Sequence, residues 1–521
     1  MSALPSTLRD RVAQLIFPRI GSNMEPAVTA SDDVDRIRDM LSHHAIGGLC
    51  LFNGDRYHTP QSLALLQACS RFPLLVATDM ERGLGQQIRG ATVFPHAMAY
   101  ELLEPEAVEA MARLSAREAL ATGIHISFSP VADVASNPAN PIISTRAFGR
   151  STETVIPRVE AYTHGCRAEG LLATAKHFPG HGDTETDSHD GSPRVERSAD
   201  SLTQLEIPPF RAAVQAGVDL VMTAHVAYPA LDATGHIATR SRPILTQLLR
   251  ESLGFRGAVI SDSLLMTGAQ SGHDPARLLL AGVDILLDVD DVDATVDALI
   301  SAAHADHEVR RRVDEAFSRV WSLKNRLMDR FGAGFFGDPG LAFDISLVGC
   351  DAHRQVASEH ARRALVVRET PVPFQFSASR PGRTSTLCVL VRPNTNYTDP
   401  TRSPLETAFR RRYPDGEYIE ILPGTTDNKM QQVLERTNEY RCIVLAVIVK
   451  PAAWHRYGLL RAQRAFVEAL TEHEHVVLAS LGSPTVLDSF PNTTHAVCLF
   501  SDVEASQHAL IEYIARLDPE Q

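Results

Sequence analysis

The sequence predicts an α/β protein: an N-terminal (β/α)8 TIM-like barrel followed by a second, smaller α/β sandwich domain. Three observations carry this reading. The chain has 521 residues, more than a single core usually organises. Eight short apolar runs, each ended by a polar residue, alternate with helix-like stretches between residues 14 and 288. A Gly- and Phe-rich segment, FGAGFFGDPGL (331–341), then separates that series from a second set of strand-like runs. The boundaries that follow are 1–335 for the barrel and 336–521 for the sandwich domain.

In order, the eight runs are QLIFPRI (14–20), GGLCLFN (47–53), LLVATD (74–79), HISFSPVAD (125–133), ATAKHF (173–178), DLVMTAH (219–225), GAVISD (257–262) and DILLD (284–288). They are near-continuously apolar, the mark of parallel strands covered on both faces. Between them, stretches such as 105–123 and 199–217 have helical periodicity, and the charged segment 307–328 closes the series. In the second domain, 387–393, 418–424, 442–449, 475–482 and 496–501 read as strands, with a helix over 459–473. That domain has no GxGxxG and is assigned no nucleotide.

Composition narrows the function. Apolar residues are 44% and charged residues 22%, an ordinary globular balance. Net charge is −13 with no long basic run, so neither nucleic acid nor an anionic membrane is an expected partner. The seven scattered cysteines form no CxxC pair, which favours reduced thiols over a disulfide framework or a thiolate zinc site. The first twenty residues show no apolar signal core, and no run approaches the roughly 20 apolar residues of a membrane span. A cytoplasmic protein acting on a small substrate is the expectation.

In a (β/α)8 barrel the chemistry collects at the carboxyl ends of the strands. Polar residues stand there at Asn53, Asp79, Asp133, Lys176 with His177, His225, Asp262 and Asp288. The densest cluster follows the fifth strand, in KHFPGHGDTETDSHD (176–190), where Pro179, Gly180 and Gly182 forbid a regular helix. Three readings compete for it. His177-xxx-His181 has metal-ligand spacing, but only on a helix. The polar residues can be plain surface decoration. Asp187 can also accept a hydrogen bond from His189 two residues on, sustaining an imidazole as an acid near neutral pH. Asp262 either caps the next helix or, as a carboxylate at the barrel mouth, attacks an anomeric carbon. His225 is a core residue or a support of the site.

The strings KHFPGHGDTETDSH, SPVADVASNPANPIISTRAFG, VMTAHVAYP and GFRGAVISDSLLM together resemble glycoside hydrolase family 3, in particular its β-N-acetylglucosaminidase branch, over residues 10–330. The resemblance implies a retaining double displacement and no metal or other cofactor. It implies Asp262 as nucleophile, His189 as general acid/base and Asp187 as its partner. It implies substrate contacts from Asp79, Arg146, Lys176 and His177. The string after the third strand departs from the branch: Gln87 stands where a sugar-contacting arginine is usual. The expected activity is release of terminal β-linked N-acetylglucosamine from oligosaccharides, glycoconjugates or peptidoglycan fragments. Two alternatives stay open. One is phosphorolysis of such a glycoside or of a β-glucoside, with phosphate as acceptor, since an imidazole acid/base repels an anion less than a carboxylate does. The other is an inactive barrel that binds carbohydrate.

Overall fold

The structure, a computed structural model, describes residues 4–184, 193–269, 274–338, 340, 342–368, 385–394, 403–451 and 457–518. These form two compact units: one of residues up to Val93, Glu104–Ile143 and Ala147–Arg354, the other of Phe94–Leu103, Ser144–Arg146 and the residues from Gln355 onward.

The first unit contains β1 (Ile16–Phe17), β2 (Arg19–Ile20), β3 (Gly48–Leu51), β4 (Gly54–Asp55), β5 (Leu75–Thr78), β6 (Ile88–Arg89), β7 (Ile126–Ser127), β8 (Leu172–Phe178), β9 (Leu220–Thr223), β10 (Ala258–Ile260) and β11 (Leu286–Leu287). A parallel sheet runs β10-β9-β8-β7-β5-β3-β2. β1, cut from β2 by Pro18, pairs in parallel with β11, and the bridge Ile260–Ile285 joins β11 back to β10. The sheet therefore closes, and each predicted apolar run supplies one stave, as expected of a (β/α)8 barrel. Strands β3, β5, β8, β9 and β10 are buried at every position, with helices outside. Each fully buried Leu, Ile or Val contributes about 1.5–3 kcal/mol.

Two local expectations change. The segment 199–217 is two helices, Ala199–Leu205 and Ile207–Ala216, meeting at Glu206. Pro208 and Pro209 lack the N–H that a continuing helix needs, but fit a first turn. The first unit also continues past the expected boundary at 335, to Arg354. Phe331, Phe335 and Phe343 pack against one another in tilted and edge-to-face pairs, and Phe335 and Phe336 hold His125 at centroid distances of 5.6 and 4.8 Å. Beyond them the fully buried Glu118 carboxylate accepts from Gly349 N (3.0 Å) and His353 Nδ1 (2.7 Å), besides Thr92 N and Oγ1.

The second unit carries β12 (Val366–Arg368), β13 (Thr386–Val391), β14 (Glu417–Ile421), β15 (Cys442–Val447), β16 (Val476–Ser480) and β17 (His495–Cys498). Their order is β12-β17-β16-β15-β13-β14, all pairs parallel except β12 with β17. This is the expected α/β domain with one added antiparallel edge. Its core includes Leu390, Val444, Ala446, Val477 and Val497 under Phe409 and Leu510.

Candidate active site

The carboxyl end of the barrel gathers the polar residues that end its strands. Asp79 follows β5, and the Tyr162 hydroxyl donates to the neighbouring Met80 carbonyl (3.3 Å). Glu81 lies two residues further, on the same side. Lys176, near the end of β8 and only 2% exposed, reaches Asp79 Oδ1 and Glu81 Oε1, each at 2.7 Å. A buried ammonium is tolerated only with such partners. Glu81 is buried, whereas the Asp79 side chain keeps 28% of its surface exposed, so one carboxylate of the pair faces the mouth.

His177 follows at once. Its Nδ1–H donates to Asp133 Oδ2 (2.7 Å) and its backbone N–H to the same carboxylate (3.2 Å), which also accepts the His181 N–H (2.7 Å). Asp133 is wholly buried. Burial alone would raise its pKa, but the His177 charge and hydrogen bond and the His181 contacts outweigh that and hold the carboxyl below its usual range. The arrangement fixes the Nδ1–H tautomer of His177. His181 Nδ1 meets Thr184 Oγ1 (2.8 Å), and Asn140 donates to the His181 carbonyl (2.9 Å). The loop needs its glycines: a Cβ on Gly182 would lie 1.7 Å from the Val134 carbonyl oxygen, and Gly180 has φ +134°.

Asp262 ends β10, half-buried, its Oδ1 accepting the Ser263 N–H (2.7 Å). His225, after β9, donates or accepts at the Thr239 hydroxyl (2.8 Å) through Nδ1 and contacts the Ser263 carbonyl (3.1 Å) through Nε2. Burial lowers its pKa, opposed by the Asp262 charge, so it is a neutral brace behind the Asp262 turn. Asp288 accepts from Ser263 Oγ (2.6 Å) and is paired with Arg19. Asp288, Asp79 and Asp262 all act on the thiol of Cys50 in β3, which burial first and these charges next push well up. The strand ends of β3, β5, β10 and β11 thus converge on one acidic rim. Gln87, the departure noted in the sequence, accepts from Asn23 Nδ2 (2.9 Å), and Arg89 donates to Asn53 (3.2 Å).

Of the seven expected site residues, the barrel brings Asp79, Lys176, His177 and Asp262 to this rim. Arg146 lies in the short 3-10 turn Ser144–Arg146, which belongs to the second unit. Asp187 and His189 lie outside the described residues. Glu81 was not singled out from sequence, although its position two residues beyond Asp79 carries a signal. For Asp133 the sequence signals no more than a polar strand end.

A parallel barrel with a carboxylate, amine and imidazole rim at its strand ends is shared with glycoside hydrolases, and relatives in sequence and structure make this chain one of them. The chain belongs to glycosyl hydrolase family 3: the family's N-terminal domain profile, "Glycosyl hydrolase family 3 N terminal domain", matches residues 7–323. A β-hexosaminidase of Vibrio cholerae is 39% identical over 275 residues, 50% of this chain and 81% of that protein. β-Hexosaminidase A of Pseudoalteromonas piscicida is 31% identical over 367 residues, 63% of this chain, and the match spans 60% of that protein's length. The solved family 3 β-N-acetylglucosaminidase of Paenibacillus sp. str. FPU-7 superposes with a TM-score of 0.83 at 26% identity, over 98% of this chain and 97% of that one. A β-glucoside phosphorylase, BglX, shares the fold at TM-score 0.81 and 20% identity.

Proposed function

We propose that the protein is a retaining β-N-acetylhexosaminidase that removes terminal β-linked N-acetylglucosamine from oligosaccharides, glycoconjugates or peptidoglycan fragments. The observation that carries this is the shared rim: Asp262, half-buried just beyond β10, and Asp79, whose carboxylate is held by Lys176 just beyond β5, both stand at the carboxyl ends of strands of one closed parallel barrel. Asp262 attacks C1 of the bound sugar, the bond to the leaving oxygen breaks, and a glycosyl-Asp262 ester forms. His189, oriented by Asp187, gives its proton to the leaving oxygen, then takes one from the water that cleaves the ester. Two inversions at C1 give net retention. Asp79, Lys176, His177 and Arg146 bind sugar hydroxyls by charge-assisted hydrogen bonds. A cytoplasmic site of action belongs to the same proposal; the seven cysteines, all free thiols, are compatible with a reducing compartment. Among the described residues no helix is long and apolar enough to cross a membrane.

Trapping tests the proposal. A 5-fluoro N-acetylglucosaminyl fluoride should label the protein once, and peptide mass mapping should find the label on Asp262. Label on another residue, or a good aryl N-acetylglucosaminide left uncleaved, overturns it. Running the turnover with phosphate present separates free sugar from sugar 1-phosphate as product.

A further inference from the structure

Glu206 sits where the two helices Ala199–Leu205 and Ile207–Ala216 meet. It is 1% exposed, and neither carboxyl oxygen has a hydrogen-bond partner among the described residues. Such a group is costly to bury and calls for an explanation. The carboxyl lies against Gly180, so closely that a Cβ there would come within 2.4 Å of Oε2. Gly180 is the turn between His177 and His181: its N–H donates to the His177 carbonyl (2.8 Å), and its own carbonyl accepts from the Tyr228 hydroxyl. The charged and titratable groups facing Glu206 are Asp133, Arg197, Asp183 and Tyr228, with Arg197 already engaged by both Asp183 oxygens (2.6 and 2.8 Å). Asp133 receives N–H donors from His177 and His181; Glu206 receives none among the described residues. Of the two neighbouring buried acids, Asp133 is the one equipped to carry charge.

We propose that Glu206 is a positioning residue of the active site: held as a neutral acid, it leaves Asp133 the single fully buried anion beneath residues 177–181, and its ionisation unseats that loop and with it the bound sugar. The kinetic part rests on the glycosidase reading above. Burial first, then the Asp133 charge, push the Glu206 pKa up to about 8 against the pull of Arg197. Ionisation would set two unsolvated carboxylates against each other, and relief requires either Gly180 or the Glu206 side chain to move. Both adjoin the segment that carries Lys176 and His177.

The test compares wild type, Glu206→Gln and Glu206→Ala. Glutamine keeps the size and is neutral at every pH. In wild type, kcat/KM should fall on the alkaline side with a midpoint near 8, through KM more than kcat. Glu206→Gln should keep its neutral-pH value within about threefold and lose that fall, so that at about pH 9 it exceeds wild type by about tenfold. An unchanged alkaline fall in Glu206→Gln overturns the proposal, as does equal loss at every pH. Heat stability supplies a readout independent of turnover. An unfolded glutamate ionises near about 4.3, while the folded group keeps its proton to higher pH, so wild-type Tm should decline between those values and Glu206→Gln should flatten the decline. An equal decline in both proteins overturns the proposal. Should neither glutamine nor alanine variant fold, calorimetry of wild type with N-acetylglucosamine in two buffers near pH 8 decides: net proton uptake supports it and none overturns it. If no aryl hexosaminide is cleaved but the Tm difference is found, the glycosidase reading falls and the protonated Glu206 stands.

Discussion

The two ends of the barrel both bury charge, and they treat it differently. At the amino ends of the strands, Asp284 lies between Arg250 (2.5 Å), Arg312 (3.0 Å) and Arg319 (2.8 Å), Asp219 pairs with Arg326 (2.5 Å), and Lys324 donates to Gln14 (2.5 Å). Asp284, Asp219, Lys324 and Gln14 are all 2% exposed or less. At the carboxyl ends, Lys176 and Asp133 are as deeply buried; Asp133 is held by the buried His177 and His181, whereas Lys176 is joined to Asp79, which keeps more than a quarter of its side chain exposed. Buried charge alone therefore does not mark a site. What differs is the group left partly solvated: at the amino ends it is an arginine, Arg326 or Arg319, turned outward, whereas at the carboxyl ends it is a carboxylate, Asp79, held at the mouth by Lys176, preorganised yet able to exchange water for substrate.

The sharpest break in that contrast is Asp262→Ala, which should cut kcat by about 10⁴-fold or more with little change in Tm. Near wild-type turnover would dissolve the distinction between the ends. Next, His189→Ala should lose about 10²–10⁴-fold on natural glycosides and far less on aryl glycosides with good leaving groups; equal losses would reduce His189 to a loop residue. Lys176→Met should lose both activity and about 3–5 kcal/mol of stability, because Asp79 and Glu81 are left as facing anions. Its counterpart, Lys324→Met, should cost only about 1–2 kcal/mol, for one orphaned amide oxygen, and leave kcat/KM unchanged. Burial holds the Lys324 amine well below its usual pKa, so little charge is lost with it. Calorimetric unfolding with turnover assays reads both. The smallest effect is on the slope of Tm in acid, read apart from the overall loss that unpairing three arginines brings. Burial alone would raise the Asp284 pKa, but its three arginines outweigh that and lower it. Its stabilisation is therefore present above the ordinary carboxylate pKa and lost as pH falls through the lowered value, and Asp284→Asn should show a shallower Tm decline in acid.

Most of this molecule can be read from its apolar runs. Every barrel strand and every strand of the second sheet except Val366–Arg368 lies within or against a predicted segment. That exception is three residues long and pairs antiparallel, too short for any periodicity. Asp79, Lys176, His177 and Asp262 were legible because strand ends can be counted and each bears a chemically distinct side chain. Asp133 was visible only as a polar strand end, since its task depends on two histidines folding back over it. Glu206 was invisible: the prolines mark a helix break, but nothing in the order of residues says that Gly180 packs on its carboxyl.

The strap beyond the last barrel helix bears on where this protein can be cut. Glu118 takes two of its donors from Gly349 and His353, so a fragment ending at 335 would leave that acid with Thr92 alone and strip Phe336 from His125. The first unit therefore runs to Arg354, and removal of 336–354 should lower the Tm of what remains, because Glu118 and His125 lose partners that the segment supplies.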